Sequence, residues 1–149
     1  MRGIALVLAA CAALAACRGS PLGWIPGGKL EGEPVDAPVS DWEFAKKVEN
    51  LQLETHPEDP YSVNIWFVTE DANLWVIAGG GETSYWAKYL FADPRALVRI
   101  EGKLYPRKAV RVADTEEILH VQELYIEKYG YTRDVNGVFK PVVIRLDPP

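Results

Sequence analysis

The sequence has 149 residues, of which 48% are hydrophobic and 25% charged, and its formal net charge at pH 7 is −5. This length and ordinary globular composition favour one domain with a hydrophobic core. The acidic balance argues against a polybasic surface, so we expect no nucleic-acid partner.

The first residues have the pattern of an export signal. Arg2 supplies a short basic region, and residues 4–16 form an apolar run that is too short for a permanent membrane helix. The run ends in LAAC at residues 14–17, which resembles the lipobox of bacterial lipoproteins. That resemblance implies cleavage before Cys17 and acylation of Cys17, which would anchor the chain in a membrane. Cleavage at Cys11 and a plain signal without lipid are the alternatives.

Both cysteines lie in this first segment, so the rest of the chain has no disulfide to form. Arg18 follows Cys17, whereas an aspartate at that position is associated with retention in the inner membrane. We therefore expect an outer-membrane lipoprotein that faces the periplasm, with the inner membrane as the alternative.

We divide the chain into three parts. Residues 1–16 are the predicted signal peptide, residues 17–39 a lipidated cysteine with a Gly/Pro-rich tether, and residues 40–149 the folded domain. Trp24 and Ile25 interrupt the tether, either as a contact with the domain or the membrane interface, or by chance.

Capping signals predict three helices in the domain. Ser40 and Glu43 have the spacing of a capping box, which predicts a helix over residues 41–47. Thr83 or Ser84 can cap a helix over residues 85–91. A third helix is predicted to begin after Asp114 and to end at Gly130; its apolar stripe comprises Ile118, Val121, Gln122, Tyr125 and Tyr129.

Alternating apolar residues predict six strands, over residues 48–55, 61–69, 74–78, 96–101, 104–112 and 142–146. In the fifth strand the alternation puts Arg107 and Arg111 on the face opposite Leu104 and Val110. Short strands joined mostly by hairpins favour a closed antiparallel barrel, mainly β with helices, over a βαβ fold.

The sequence contains no nucleophile elbow, no Walker loop and no complete dinucleotide-binding glycine motif. His56 and His120 have no partner at metal-ligand spacing, so we expect no metal site. No side chain can be named as catalytic from these patterns.

The central stretch carries a more specific pattern. It reads IAGGG at residues 77–81 and continues through Trp86, Tyr89, Asp93-Pro94 and Val98. This pattern resembles the split-barrel flavin-binding superfamily, which includes pyridoxamine-phosphate-oxidase-like proteins, and most closely its deazaflavin-dependent nitroreductase group. The resemblance covers residues 48–148 and implies a six-stranded antiparallel split barrel. Tyr89 and Asp93 stand where that group has asparagines.

The resemblance also implies a cofactor, flavin mononucleotide (FMN) or a deazaflavin, held against residues 79–88, often in the groove of a homodimer. Glycines give a ligand access to backbone amides, and a helix N-terminus favours a phosphate. Trp86 can stack on a ring and Lys88 can neutralise a phosphate. The alternative is a tight turn with a core tryptophan. The cofactor-binding residues predicted in this way are Ala78, Gly79, Gly80, Gly81, Ser84, Trp86 and Lys88.

One loop departs from the family pattern. Where relatives have a basic phosphate-binding loop, residues 54–60 read ETHPEDP, in which only Thr55 and His56 correspond. An acidic loop repels a phosphate. Two functions therefore stay open: a lipoprotein oxidoreductase with a flavin or deazaflavin, and a non-catalytic barrel that binds an envelope protein or an apolar ligand.

Overall fold

The computed structural model describes residues 19–130 and 140–149. The predicted signal peptide, Cys17 and the predicted loop around Asn136 and Gly137 lie outside the described residues. Export and lipidation therefore stay predictions. No helix in the described ranges is long and apolar enough to cross a membrane.

The described residues contain seven strands and two α-helices. The helices are α1 (Tyr85–Ala92) and α2 (Thr115–Tyr129), and short 3-10 turns cover Glu43–Ala45 and Gly81–Thr83. The strands are β1 (Glu33–Pro34), β2 (Asn50–Thr55), β3 (Tyr61–Glu70), β4 (Asn73–Ala78), β5 (Arg95–Ile100), β6 (Lys103–Arg111) and β7 (Val142–Asp147).

Six of the strands close into a barrel. Their order is β6-β5-β2-β3-β4-β7, all neighbours are antiparallel, and β7 pairs back onto β6. The short β1 adds to β6 in parallel. The predicted six-stranded antiparallel barrel with helices is confirmed.

Two hydrophobic clusters hold this barrel together. The larger fills its interior with side chains such as Leu51, Phe67 and Val98, all fully buried. The smaller lies outside the barrel, where Val121 and Tyr125 of α2 pack on Val68, Trp75 and Val143. Strands β4 and β7 are therefore covered on both faces, which explains their continuous apolar runs.

The third predicted helix is confirmed in detail as α2. The Asp114 side chain accepts a hydrogen bond from Glu117 N at 2.8 Å, and Gly130 ends the helix with a φ of 66°. The carboxylate of Glu117 does not return to the cap, because it binds the indole of Trp75 and the guanidinium of Arg145.

The helix predicted over residues 41–47 was wrong in length and in its cap. Only one 3-10 turn forms, and Asp41, rather than Ser40, accepts the hydrogen bond from Glu43 N. Trp42 limits the turn because its side chain is buried and its indole donates to Ala72 O, which fixes the chain on the β3–β4 turn.

The cap predicted for α1 was also wrong. Ser84 occupies the N-cap position, but its side chain accepts no capping hydrogen bond. Thr83 instead donates to Gly80 O at 2.6 Å and so closes the preceding 3-10 turn.

The segment predicted as a tether contacts the barrel. Leu22 and Ile25 form a small hairpin, and Gly27 exchanges two backbone hydrogen bonds with Ser62 of β3. Leu30 is buried, and its N–H donates to the Glu54 carboxylate at 2.5 Å. The domain boundary at residue 40 stays a prediction, but residues 22–35 contact the barrel.

Candidate functional site

A groove of about 420 Å³ opens where the pairing of β3 with β4 ends. The loop after β4 and the start of α1 form one end of it, and α2 lies beneath. Its walls are mostly apolar and aromatic, with two asparagines. The lining residues are Asn50, Asn64, Ile65, Trp66, Ile77, Gly79, Trp86 and Tyr125.

The groove exists because a tyrosine separates the two strands. The β3–β4 ladder runs from Glu70↔Asn73 to Phe67↔Val76 and then stops. At the next position the Tyr125 hydroxyl accepts a hydrogen bond from Ile77 N at 3.1 Å and donates to Trp66 O at 2.9 Å. A phenol thus takes the place of a direct strand pair and keeps both backbone groups satisfied.

A second tyrosine of α2 fixes the aromatic wall. The rings of Tyr129 and Trp66 stack with centroids 4.5 Å apart and planes 6° from parallel. The Tyr129 hydroxyl lies 2.7 Å from Glu49 O and 2.8 Å from Phe67 O, and burial raises its pKa to about 12. Trp66 is still 44% exposed, so a large indole surface stays accessible at the groove.

Lys128 lies between these tyrosines in sequence and binds the same strand. Its ammonium donates to Phe67 O at 3.0 Å and lies 3.9 Å from the Phe67 ring centroid. Burial lowers the pKa of Lys128 to about 8. Its side chain lines a separate depression of about 390 Å³ together with Thr69, whose buried hydroxyl has no hydrogen-bond partner among the described residues.

Two of the predicted cofactor-binding residues, Gly79 and Trp86, come together at the groove. A Cβ at Gly79 would meet no atom within 4 Å, so the backbone there faces open space.

The other predicted residues have different surroundings. Ala78 is buried in the barrel core, and Gly81 is buried against Lys140 O with a φ of 56°. Gly80 is exposed at the start of the 3-10 turn, and Ser84 is half-buried. Lys88 is exposed, with its ammonium 5.4 Å from the Tyr85 ring centroid, and is not among the groove residues.

Sequence reasoning missed most of the groove. The residues not foreseen are Asn50, Asn64, Ile65, Trp66, Ile77 and Tyr125. The sequence pattern puts Tyr125 on the apolar stripe of its helix, but the strands that its hydroxyl separates are determined by tertiary packing. For Trp66, the available signal in the sequence was its position on the more polar face of β3.

The acidic loop contacts α1 at Tyr89 and the start of β5 at Arg95. His56, with a φ of 57°, stacks on Tyr89 with ring centroids 4.6 Å apart. Arg95 binds both Asp93 and Glu58, and its hydrogen bonds hold the pKa of Asp93 below its usual range. Part of the loop's negative charge is therefore offset by Arg95.

Within the described ranges, no group of three or more His, Cys, Asp or Glu side chains is arranged to hold a metal ion. His120 pairs with Glu70, with 2.7 Å between Nε2 and the carboxylate, and both side chains are more than two-fifths exposed. This pair links α2 to the end of β3.

No family model matches this chain, and no curated protein matches it. Solved structures do. A candidate pyridoxamine 5′-phosphate oxidase from Listeria innocua is 15% identical over 67% of this chain and 83% of its own, with a TM-score of 0.52. An F420-H2 dependent reductase is 19% identical over 67% of this chain and 95% of its own, with a TM-score of 0.52.

A third similar structure is described as a domain-swapped dimer. It is 21% identical over 67% of this chain and 81% of its own, with a TM-score of 0.55. At these identities the similarity shows the fold. The chain has the split-barrel fold of these structures, as its central stretch predicts.

Proposed function

We propose that the groove beside Gly79 binds the ring system of a flavin or deazaflavin, and that the protein is an oxidoreductase of the nitroreductase type. The observation that carries this proposal is the separation of β3 from β4 by Tyr125. It leaves an aromatic, mostly apolar groove at the loop that the sequence pattern marks.

The groove residues fit the ring of such a cofactor. Planar rings bind well between aromatic side chains, and Trp66 and Trp86 both line the groove. Gly79 leaves its backbone accessible to a ligand. When bound, the cofactor would supply hydride transfer, and this chain would bind and orient it and limit its exposure to water.

The same residues fit a phosphate less well. No lysine or arginine lines the groove among the described residues, and Lys88 lies elsewhere. The loop that corresponds to the relatives' phosphate-binding loop is acidic here, and its neighbour Arg95 is already bound to two carboxylates. We therefore expect FMN to bind more weakly than a cofactor that gains most of its affinity from contacts of its ring system with the groove.

We further propose that the protein acts in the cell envelope as a lipoprotein anchored through Cys17, and that it forms a homodimer. The LAAC sequence supports the anchor. The dimer is supported by the resemblance to a superfamily whose cofactors often lie between two subunits, and by the similarity to a domain-swapped dimer. Two anchored subunits would hold the grooves close to the membrane.

A titration tests the cofactor. The full chain in detergent is mixed with FMN, with a deazaflavin or with buffer, and cofactor fluorescence and the melting temperature are recorded. We expect at least one cofactor to raise the melting temperature and to lose fluorescence by contact with Trp66 or Trp86. If neither cofactor binds, the proposal is wrong.

A pair of variants locates the binding. Gly79→Leu fills the open side of the groove, so we expect it to weaken binding by at least roughly tenfold, or about 1.4 kcal/mol. Tyr85→Ala removes an exposed ring beside the groove and is expected to bind as the wild type does. Equal binding by both variants would place the cofactor elsewhere.

The second candidate function is a non-catalytic barrel that binds an envelope protein or an apolar ligand. The hairpin at residues 22–25 favours it, because Leu22, Trp24 and Ile25 are 69%, 91% and 52% exposed. Crosslinking from Trp24 to a single envelope protein, together with no cofactor binding, would support this function over the first.

A further inference from the structure

Arg107 is a buried cation in the wall of the barrel. It lies in β6 opposite Ala96 of β5 and is only 6% exposed. Its guanidinium carbon lies 4.8 Å from the ring centroid of Trp42, which is itself buried. The sequence pattern puts Arg107 on the face opposite Leu104 and Val110, and in the structure this is the face on which Tyr105 and Arg107 are both buried.

Among the described arginines, Arg107 is set apart because its side chain has neither an ion pair nor a hydrogen bond. Among the described residues, no carboxylate lies within ion-pairing distance of Arg107, and its buried Nε finds no acceptor. Arg95, Arg111 and Arg145 all bind carboxylates, and Arg99 binds Gln52. Burial lowers the pKa of Arg107, but a guanidinium stays charged at neutral pH. A buried charge without a partner is costly, so an anion is the expected complement.

A cavity of about 280 Å³ lies next to this side chain. Its walls include the apolar residues Val35, Pro38, Pro106 and Pro148, and Asp36 lies exposed at its edge. Asp147, which precedes Pro148, acts on Arg107 through its charge, but its carboxylate is bound to Arg145 at 2.7 Å. The cavity therefore offers one cation and an otherwise mostly apolar surface.

We propose that this cavity binds a small organic acid, with its carboxylate hydrogen-bonded to Arg107 and its hydrocarbon part packed on Val35, Pro38 and Pro106. The planar fork of an arginine matches two carboxylate oxygens. The cation–π contact with Trp42 restricts the position of that fork. The site shares no lining residue with the groove at Gly79, so it does not depend on the proposed redox function.

The apolar walls favour a monocarboxylate over inorganic phosphate. Phosphate carries up to two charges at neutral pH and needs several donors, whereas one guanidinium and apolar surface suit a single carboxylate with a short chain. Asp36 adds a like charge at the edge, which opposes a dianion further.

Sodium butyrate is the probe for this site. The full chain in detergent is titrated with butyrate, with inorganic phosphate, and with sodium chloride at matched ionic strength, and binding is followed by calorimetry and melting temperature. We expect butyrate to bind and to raise the melting temperature more than chloride does. No binding of butyrate at tens of millimolar, or stabilisation by phosphate alone, would overturn the proposal.

Variants assign the binding to Arg107. Arg107→Gln is expected to abolish it, and Arg107→Lys to weaken it by roughly tenfold because the fork is lost. Arg111→Gln is the matched control, since it removes the same charge from the same strand at an exposed position, and it should bind butyrate normally.

A cavity-filling variant keeps the test decisive if Arg107→Gln fails to fold. Ala37→Leu narrows the cavity from an exposed position and leaves the guanidinium in place, so it should also abolish binding. Asp36→Asn should preserve or strengthen binding because it removes a like charge. Butyrate binding that survives both Arg107→Lys and Ala37→Leu unchanged would refute the proposal.

Discussion

Replacing Tyr125 with phenylalanine tests the physical origin of the groove. The substitution keeps the ring, which packs against Tyr129 with centroids 5.5 Å apart, and removes only the hydroxyl. That hydroxyl serves Ile77 N and Trp66 O at the point where the β3–β4 ladder has ended. Both backbone groups would lose this partner at once.

The cost can be estimated from those two groups. A buried donor or acceptor left without a partner costs roughly 1–3 kcal/mol. Both sites are only partly buried, so we take the lower end for each and expect Tyr125→Phe to lose about 2 kcal/mol. For a domain of this size that corresponds to a fall of roughly 6–9 °C in melting temperature.

The assay combines thermal unfolding with amide hydrogen exchange. Tyr85→Phe is the control, because Tyr85 is 66% exposed, and it should change stability by less than about 0.5 kcal/mol. In Tyr125→Phe we also expect faster exchange at the Ile77 amide than at Val76, whose backbone faces β7 and keeps its strand partner Ile144. Unchanged melting temperature and unchanged protection of Ile77 would refute this account of the groove.

Two further predictions concern neighbouring parts of the chain. Because burial lowers the pKa of Lys128 to about 8 from an ordinary value of 10.5, the unfolded chain binds more protons between those pH values. The free energy of unfolding should therefore rise with pH from about 8, by about 1 kcal/mol after allowance for partial exposure. Urea titrations should show this rise lost in Lys128→Met and kept in Lys88→Met, a change at an exposed lysine. Gly81→Ala should destabilise by about 2 kcal/mol in the same titrations, because its φ is 56° and the new Cβ would lie 2.6 Å from Lys140 O. Gly79→Ala, which meets no atom within 4 Å, should stay within about 0.5 kcal/mol of the wild type, and equal losses at both glycines would contradict this.

Local signals predicted much of the fold. Helix α2 has its cap at Asp114 and its left-handed stop at Gly130 because both signals act within one turn of the chain. Every predicted barrel strand formed with ends within about two residues, since alternation along a half-buried strand is also local.

Other features depend on contacts between residues that are far apart in sequence. The guanidinium of Arg107 lies over the ring of Trp42, which is far away in sequence, and no alternation rule can include that partner. Most of the groove could not be predicted from the sequence for the same reason. Gly79 and Trp86 carry a sequence pattern, but Trp66 and Tyr125 belong to the site only through the way that α2 packs on β3.

The length of strand β3 explains why the barrel, the groove and the N-terminal segment meet along one strand. It has ten residues, whereas β2 and β4 have six each. Its first part, up to Trp66, pairs with β2 on one side, and its second part, from Phe67, pairs with β4 on the other. Where the pairing changes from β2 to β4, this offset leaves backbone N–H and C=O groups of β3 without a strand partner on either side. Buried backbone groups need hydrogen-bond partners.

The chain supplies those partners from two directions. The side facing β2 is completed by Tyr129 and Lys128, which bind Phe67. On the other side, Tyr125 binds Trp66 and Gly27 pairs with Ser62. Between those two contacts Asn64 turns its amide to Gly23 O at 2.9 Å and lines the groove. The groove is therefore the length of β3 that neither β4 nor the N-terminal segment covers, and its open backbone edge is the reason that a ligand can reach this part of the barrel.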